Sequence, residues 1–155
     1  MMRRSPWLLA LVVPALASLT LVSGCAVELL VTPLYGGVYD LQRVDGFDVP
    51  AIVFESSAAG GSRRVEVSYG TLRLRDDNTF SLDYELSEWT NGVASRSTHG
   101  YSGTYHLRES DLFLYFVDPF TDRDRTLSGF VRDGYAEVEI DGVVDGQVLQ
   151  FGFKR

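Results

Sequence analysis

The stretch TFSLDYELSEW, residues 79–89, alternates apolar and polar side chains with a period of two. The apolar positions, which share one side of an extended chain, are Phe80, Leu82, Tyr84 and Leu86. The polar positions, which share the other side, are Ser81, Asp83, Glu85 and Ser87. This alternation is typical of an antiparallel β-strand with one face in a core and the other in water.

The same period continues on both sides of this stretch, from Gly36 to the C-terminus, and no segment there shows a helical stripe. The further predicted strand cores are 65–69, 72–74, 101–107, 112–117, 127–131, 136–140 and 149–153. The first two have apolar positions of opposite parity, with Gly70 between them. A change of phase at a glycine predicts a β-bulge or a sharp bend.

Short polar turn sequences separate the predicted strands. They are Val44-Asp45-Gly46, Asp76-Asp77-Asn78, Asn91-Gly92, Glu109-Ser110-Asp111, Asp133-Gly134, and Asp141-Gly142 through Asp145-Gly146. Asp-Gly and Asn-Gly suit the positive φ of tight hairpin turns. Eight or nine strands joined in this way form a meander, and closure is the usual means of hiding the edges of a long meander. The sequence therefore predicts an all-β fold, an antiparallel meander closed into a small eight-stranded barrel.

Aromatic side chains are abundant, with 8 Tyr and 9 Phe. An eight-stranded barrel is either filled by its own side chains or holds one small ligand, and both alternatives stay open here. LFLYFV, residues 112–117, is apolar on both faces, so we expect its outer face to be covered by the N-terminal segment, a partner or a ligand. The candidate cavity-lining residues are Tyr39, Phe80, Leu82, Tyr84, Tyr105, Leu114, Phe116 and Phe151.

The N-terminus has the organisation of an export signal. Arg3 and Arg4 precede an uncharged, mostly apolar run over residues 7–22, and the small residues Ser23 and Gly24 follow. Those 16 residues are fewer than the roughly 20 that span a bilayer, and Pro14 interrupts them. A cleaved secretory signal is favoured over an uncleaved membrane anchor.

Val22-Ser23-Gly24-Cys25 resembles the lipobox of bacterial lipoproteins. The resemblance implies that residues 1–24 are a signal peptide, that Cys25 is acylated, and that residues 25–35 tether the domain to the cell envelope. Because Ala26 rather than aspartate follows Cys25, it also implies the periplasmic face of the outer membrane if the organism has two membranes. An ordinary secretory signal is the alternative.

The domain itself also carries family-like motifs. Gly37-Val-Tyr-Asp-Leu41 with Val44-Asp-Gly46 and Pro50, Gly70-Thr-Leu-Arg-Leu74 with Asp77-Asn-Thr-Phe80, and Gly103-Thr-Tyr105 resemble bacterial lipocalin-like domains. The resemblance spans residues 36–155 and implies a lipocalin-like barrel. In lipocalins a tryptophan of the first strand packs against a basic residue of the last. Here Tyr39 replaces the tryptophan, and Lys154 or Arg155 is the candidate partner.

Charge and composition limit the function classes. The full chain has a net charge of −7, and removal of Arg3 and Arg4 with the signal leaves 12 basic and 21 acidic residues, a charge of −9. An acidic domain is a poor nucleic-acid binder, since phosphate affinity depends on basic side chains. Cys25 is the only cysteine, so the domain contains no disulfide and its stability comes from packing.

No group of polar residues predicts catalysis or a cofactor. His99 and His106 would face opposite sides of one strand, which disfavours a metal pair. Asp118, Asp122 and Asp124 form an acidic loop that could hold calcium weakly, but arginines within it neutralise the charge. Glu88 continues the apolar register of residues 80–86. This register places Glu88 at the barrel rim or at the end of the strand, in preference to a role as an acid/base catalyst. The loop 56–62 lacks the lysine of a phosphate-binding loop.

Two functions remain. One is a membrane-tethered protein that binds a small apolar or amphipathic ligand, or a lipid, inside its barrel. The other is a non-enzymatic structural or protein-interaction module, an envelope accessory or inhibitor with a solidly packed barrel. An enzyme is not expected, and the sequence identifies no protein partner.

Overall fold

The structure is a computed structural model that describes residues 36–144 and 146–155. Cys25, the predicted signal peptide and the predicted tether lie outside the described residues. The described strands are β1 Gly37–Val44, β2 Phe47–Asp48, β3 Ala51–Ala58, β4 Gly61–Leu74, β5 Thr79–Thr90, β6 Val93–Arg108, β7 Asp111–Asp118, β8 Arg123–Arg132, β9 Glu137–Val144 and β10 Gln147–Lys154. One 3₁₀ turn, Asp133–Tyr135, joins β8 to β9.

The strands close into an antiparallel barrel. β4 to β10 pair in sequence, β1 pairs with β10, and β1 also pairs with β4 to complete the ring. These eight strands confirm the predicted all-β, eight-stranded antiparallel barrel. β2 and β3 are additional: among the described strands, β2 pairs only with β1, and β3 pairs only with β4. They interrupt the simple meander between its first two barrel strands.

The alternation of β5 divides the inside of the barrel from the outside, as predicted. Phe80, Leu82 and Tyr84 are buried, and each faces an apolar residue or a glycine on β4. Matching inward residues from all eight strands form one continuous core. The largest fully buried side chains include Tyr39, Phe80, Phe151 and Phe153. This core supplies the apolar burial that stabilises a domain without disulfides.

A bulge in β4 lies two positions earlier than the sequence indicated. The pairing of β4 with β5 shifts between Val67 and Tyr69, at Ser68 rather than at Gly70. Tyr69 is therefore on the outer face, 53% exposed, instead of sharing the inner face with Val67. Gly70 faces inward: a Cβ built there would lie 3.1 Å from the Cβ of the inward-facing Tyr84. The bend lets β4 pair with β3 through residues 61–67 and with β1 through residues 71–74.

The hairpin turns agree with the sequence except at one place. Asp45-Gly46 and Asn91-Gly92 have positive φ at both positions, as two-residue hairpin turns of type I′ require. The predicted turn at Asp141-Gly142 is wrong, because both residues belong to β9. Gly142 is buried there, and a Cβ would lie 3.1 Å from the Phe151 ring.

One end of the barrel is less completely paired than the other. The β6–β7 ladder begins at Gly103 and Phe116, and the β8–β9 ladder begins at Gly129 and Ile140. Residues 117–128, here called the hairpin tip, lie beyond these points. Among the described residues they pair within the β7–β8 hairpin and with no other strand. A four-stranded part of the sheet, here called the arm, extends the barrel strands. It consists of β3, residues 61–67 of β4, residues 86–90 of β5 and residues 93–97 of β6.

The outer face of β7 stays partly exposed. Tyr115 is 45% and Val117 is 54% exposed, whereas Leu112, Leu114 and Phe116 are buried. The doubly apolar sequence therefore gives one core face and one outer face that no described strand covers. Among the described residues no helix is long and apolar enough to cross a membrane.

Candidate ligand cavity

A cavity of about 220 Å³ lies inside the barrel at the end where the hairpin tip diverges from its neighbours. Strands β5 to β10 all contribute to its wall. The lining residues are Leu82, Tyr84, Tyr101, Phe116, Asp118, Arg125, Thr126, Leu127, Gly142, Val143 and Phe151. An open depression on the outer side, between β6 and the hairpin tip, shares Phe116, Arg125 and Thr126 with this lining. The same gap between strands therefore borders both the cavity and the solvent.

The structure divides the predicted lining residues into two groups. Leu82, Tyr84, Phe116 and Phe151 line the cavity. Tyr39, Phe80, Tyr105 and Leu114 are buried in the packed core, outside the lining. Each residue of the second group points inward, but lies toward the more completely paired end of the barrel, here called the closed end.

Sequence reasoning missed Tyr101 and Leu127 as lining residues. Both lie on predicted strands with the correct inward parity, so the alternation carries a usable signal. Nothing in the pattern predicts Gly142 as a lining residue, because the sequence predicts a turn there. The missing side chain of Gly142 leaves space in front of the Phe151 ring.

Two tyrosine hydroxyls place polar groups on a wall of aromatic and aliphatic side chains. The Tyr84 hydroxyl donates a hydrogen bond of 3.3 Å to the carbonyl oxygen of Val143. Burial raises the pKa of Tyr84 well above its ordinary value, and its hydrogen bond with Tyr101 raises it further. The Tyr84 ring also packs edge-to-face on Phe151, with centroids 5.4 Å apart. The wall thus presents tyrosine hydroxyls that can exchange hydrogen bonds with a ligand.

Charged groups lie at the rim. Asp118 accepts hydrogen bonds from the backbone N–H groups of Phe120 at 2.8 Å and Thr121 at 3.3 Å. The first of these bonds is the main reason that the pKa of Asp118 lies below its ordinary value. Arg125 Nε lies 3.6 Å from Asp118 Oδ2, and the Arg125 side chain is 54% exposed. A guanidinium in this loose pair remains available to a polar group at the cavity mouth.

The acidic loop uses its first carboxylate to build a turn. Asp118 holds the backbone of residues 120 and 121, while Asp122 and Asp124 are exposed. Among residues 36–144 and 146–155 no group of three or more acidic, histidine or cysteine side chains could hold a metal ion.

The two histidines lie on opposite faces of β6. His99 stacks on the Tyr84 ring at a centroid distance of 5.3 Å. Its ring is also 5.7 Å from that of Phe120 in the hairpin tip. His106 is exposed on the outer face. His99 therefore connects the barrel wall to the hairpin tip beside the cavity.

Glu88 faces the interior side of its strand, but it lies on the arm and has an ionic partner. Arg63 Nε is 2.7 Å from Glu88 Oε1. The Arg63 guanidinium also lies over the Phe54 ring, 5.2 Å from its centroid. The arrangement orders the arm and places this carboxylate outside the cavity lining.

Arg155, rather than Lys154, is the basic residue beside Tyr39. The Arg155 guanidinium donates a hydrogen bond of 3.1 Å to the carbonyl oxygen of Gly36. Burial raises the pKa of Tyr39, and the positive charge of Arg155 opposes part of that shift. Lys154 instead pairs with Glu137 at 2.5 Å. The first and last strands are thus joined by a basic side chain at the closed end.

Comparison of the chain with protein-family models, curated proteins and solved structures gave no match.

Proposed function

We propose that this protein is an envelope lipoprotein, tethered through Cys25, whose lipocalin-like barrel binds a small amphipathic molecule in the cavity. The observation that supports ligand binding is the contrast between the two ends of the barrel. The closed end is filled by large side chains, whereas the other end leaves about 220 Å³ between walls that are largely aromatic and aliphatic. An apolar wall with a few convergent polar groups is the usual composition of a ligand site.

The size of the cavity limits the ligand. A dry cavity of about 150 Å³ is enough to hold benzene, and ligand sites commonly measure about 300–1,000 Å³. At about 220 Å³ the cavity fits a single aromatic ring with a short substituent, or a short acyl chain. We infer that the apolar part occupies the aromatic wall, and that a polar group reaches the tyrosine hydroxyls or Arg125.

The hairpin tip is the proposed entrance. Among the described residues it pairs with neither β6 nor β9, so its displacement breaks no ladder hydrogen bond to either of these strands. Two side-chain contacts bridge the gaps: His99 with Phe120, and Ser128 with Asp141 through a hydrogen bond of 3.2 Å. A long-chain lipid would require this tip to move outward, because the present cavity is too small for it.

Calorimetric titration with 4-ethylphenol tests ligand binding, and a matched pair of leucines supplies the control. Leu127 lines the cavity, whereas Leu107 does not, and both are partly buried against the core. Leu127→Trp fills the cavity, so we expect it to weaken binding at least tenfold. Leu107→Trp should leave binding unchanged. Equal affinities in the two variants would contradict binding in this cavity.

Membrane tethering is tested separately. Cys25→Ser removes the thiol that would carry the lipid, and we expect the folded barrel to move from the membrane fraction to the soluble fraction. Incorporation of labelled palmitate should be lost at the same time. A Cys25→Ser protein that stayed on the membrane would contradict the lipoprotein assignment.

The alternative is a non-enzymatic interaction module with an essentially filled barrel. Its supporting observation is that the cavity is smaller than most ligand sites. This alternative predicts no saturable binding of single-ring or short-chain probes. It also predicts that crosslinking in cells captures a specific protein partner.

A further inference from the structure

β6 presents a long edge that is paired to no strand among the described residues. It pairs with β5 over residues 93–104, but with β7 only over residues 103–108. Along residues 93–102, about half of the backbone N–H and C=O groups therefore point away from β5 and have no ladder partner among the described residues. Residues 93–98 are exposed. Such an edge is a template for pairing with another strand.

The opposite edge of the arm carries the features that normally prevent such pairing. β3 begins directly after Pro50, carries Glu55, and has a shift in register between Ile52 and Phe54. Proline, charge and bulges are the usual protections of an edge strand. β6 pairs with β5 without any shift, contains no proline, and between residues 93 and 102 has only Arg96 as a formal charge. The two edges of one sheet are therefore protected very differently.

We propose that residues 93–101 of β6 pair with the same residues of a second copy of this chain. The two strands run antiparallel with Ser97 on the two-fold axis, so that the two arms join in one continuous sheet. A two-fold axis makes the contact self-complementary and closes it at a dimer. This inference does not depend on ligand binding in the cavity.

The side chains favour this register over those centred on Arg96 and Ser95. An axis on Arg96 would place two guanidinium groups face to face, which is unfavourable for a cross-strand pair. An axis on Ser95 would pair only residues 93–97. With the axis on Ser97, Val93, which is 72% exposed, lies opposite Tyr101 of the partner subunit.

The same register is electrostatically complementary. Arg96 lies opposite Thr98 of the partner subunit, and Thr98 pairs with Glu85 on the adjacent strand of its own chain. Arg96 of one copy is thus in line with Glu85 of the other, across one intervening strand. Within a chain, Arg96 Nε and Glu85 Oε1 are only loosely paired at 4.0 Å, and the Arg96 side chain is 76% exposed. Arg96 is therefore free to turn toward the partner.

Disulfide crosslinking of the full chain in detergent tests both the dimer and its register, in a Cys25→Ser background. Residues directly opposite in an antiparallel pair have Cα atoms about 4.5–5.5 Å apart, within the range that a disulfide spans. Ser97→Cys should therefore give a crosslinked dimer on mild oxidation. Ser95→Cys would be about 13 Å from its symmetry mate, and should not. Ser57→Cys on the β3 edge is the matched control.

A charge variant gives a second, independent measurement. Ser97→Lys places two ammonium groups opposite each other, and should raise the dimer dissociation constant by about two- to fivefold in sedimentation equilibrium. Ser57→Lys should leave it unchanged. The proposal is overturned if Ser97→Cys crosslinks no better than Ser57→Cys, if Ser95→Cys crosslinks better than Ser97→Cys, or if the two lysine variants associate equally.

Discussion

Closure of the barrel between β8 and β9 depends on Gly129. A Cβ at this position would press into the carbonyl oxygen of Glu139 and lie 2.9 Å from the Cα of Ile140. These atoms belong to the backbone, so no side-chain rotation relieves the overlap and the two strands must separate. The β8–β9 ladder has only four residue pairs, and Gly129 is in the first of them. We expect Gly129→Ala to lower the free energy of unfolding by about 3 kcal/mol, at the upper end of the usual range for overpacking.

Gly60→Ala is the matched control, because no atom lies within 4 Å of a Cβ built there and its φ is not in the left-handed region. We expect it to be neutral, or to stabilise by about 0.4–1 kcal/mol by restricting the unfolded chain. Urea unfolding at equilibrium measures both variants. If Gly129→Ala were as stable as Gly60→Ala, β8 and β9 could not be as close as the closed barrel requires.

Burial raises the pKa values of Tyr39, Tyr84 and Tyr105. The stability that these buried, protonated side chains contribute is complete below their pKa in the unfolded chain, near 10, and is lost as the pH rises through their pKa values in the folded protein. Absorbance titration should therefore show three late tyrosines that ionise together with alkaline unfolding, and ionisation of all tyrosines before unfolding would contradict their burial. Phe120→Ala removes the ring that contacts His99 and should speed ligand dissociation several-fold with little change in stability, because Phe120 is 70% exposed. Phe47→Ala, at 69% exposure on β2, is its control, and equal dissociation rates measured by stopped flow in the two variants would exclude the hairpin tip as the entrance.

Periodicity made the barrel predictable because a strand exposes its side chains to opposite faces in strict alternation. In β5 that pattern assigned Phe80, Leu82 and Tyr84 to the core correctly. The change of phase in β4 was also visible, but not its place. A one-residue bulge has the same effect on parity at Ser68 as at Gly70, so the pattern alone could not assign Tyr69 to the outer face.

The cavity was less predictable because alternation gives the face of a residue and not its level along the barrel. Tyr84 and Tyr105 both point inward, yet one lines the cavity and the other packs at the closed end. Their levels depend on how neighbouring strands are staggered, which is a property of the paired sheet. The close approaches at Gly103 and Gly129, where the hairpin tip begins, likewise appear only when the strands are brought together.

The most direct test of ligand binding in the cavity is a titration of isotope-labelled protein with 4-ethylphenol, followed by two-dimensional NMR. For a ligand of this size we expect a dissociation constant of about 0.1–1 mM. The predicted result is saturable shifts that cluster at the cavity wall, at Tyr84, Tyr101, Phe116 and Leu127. Shifts that do not saturate, or that occur only at exposed side chains such as Phe130 and Val148, would contradict the proposed function.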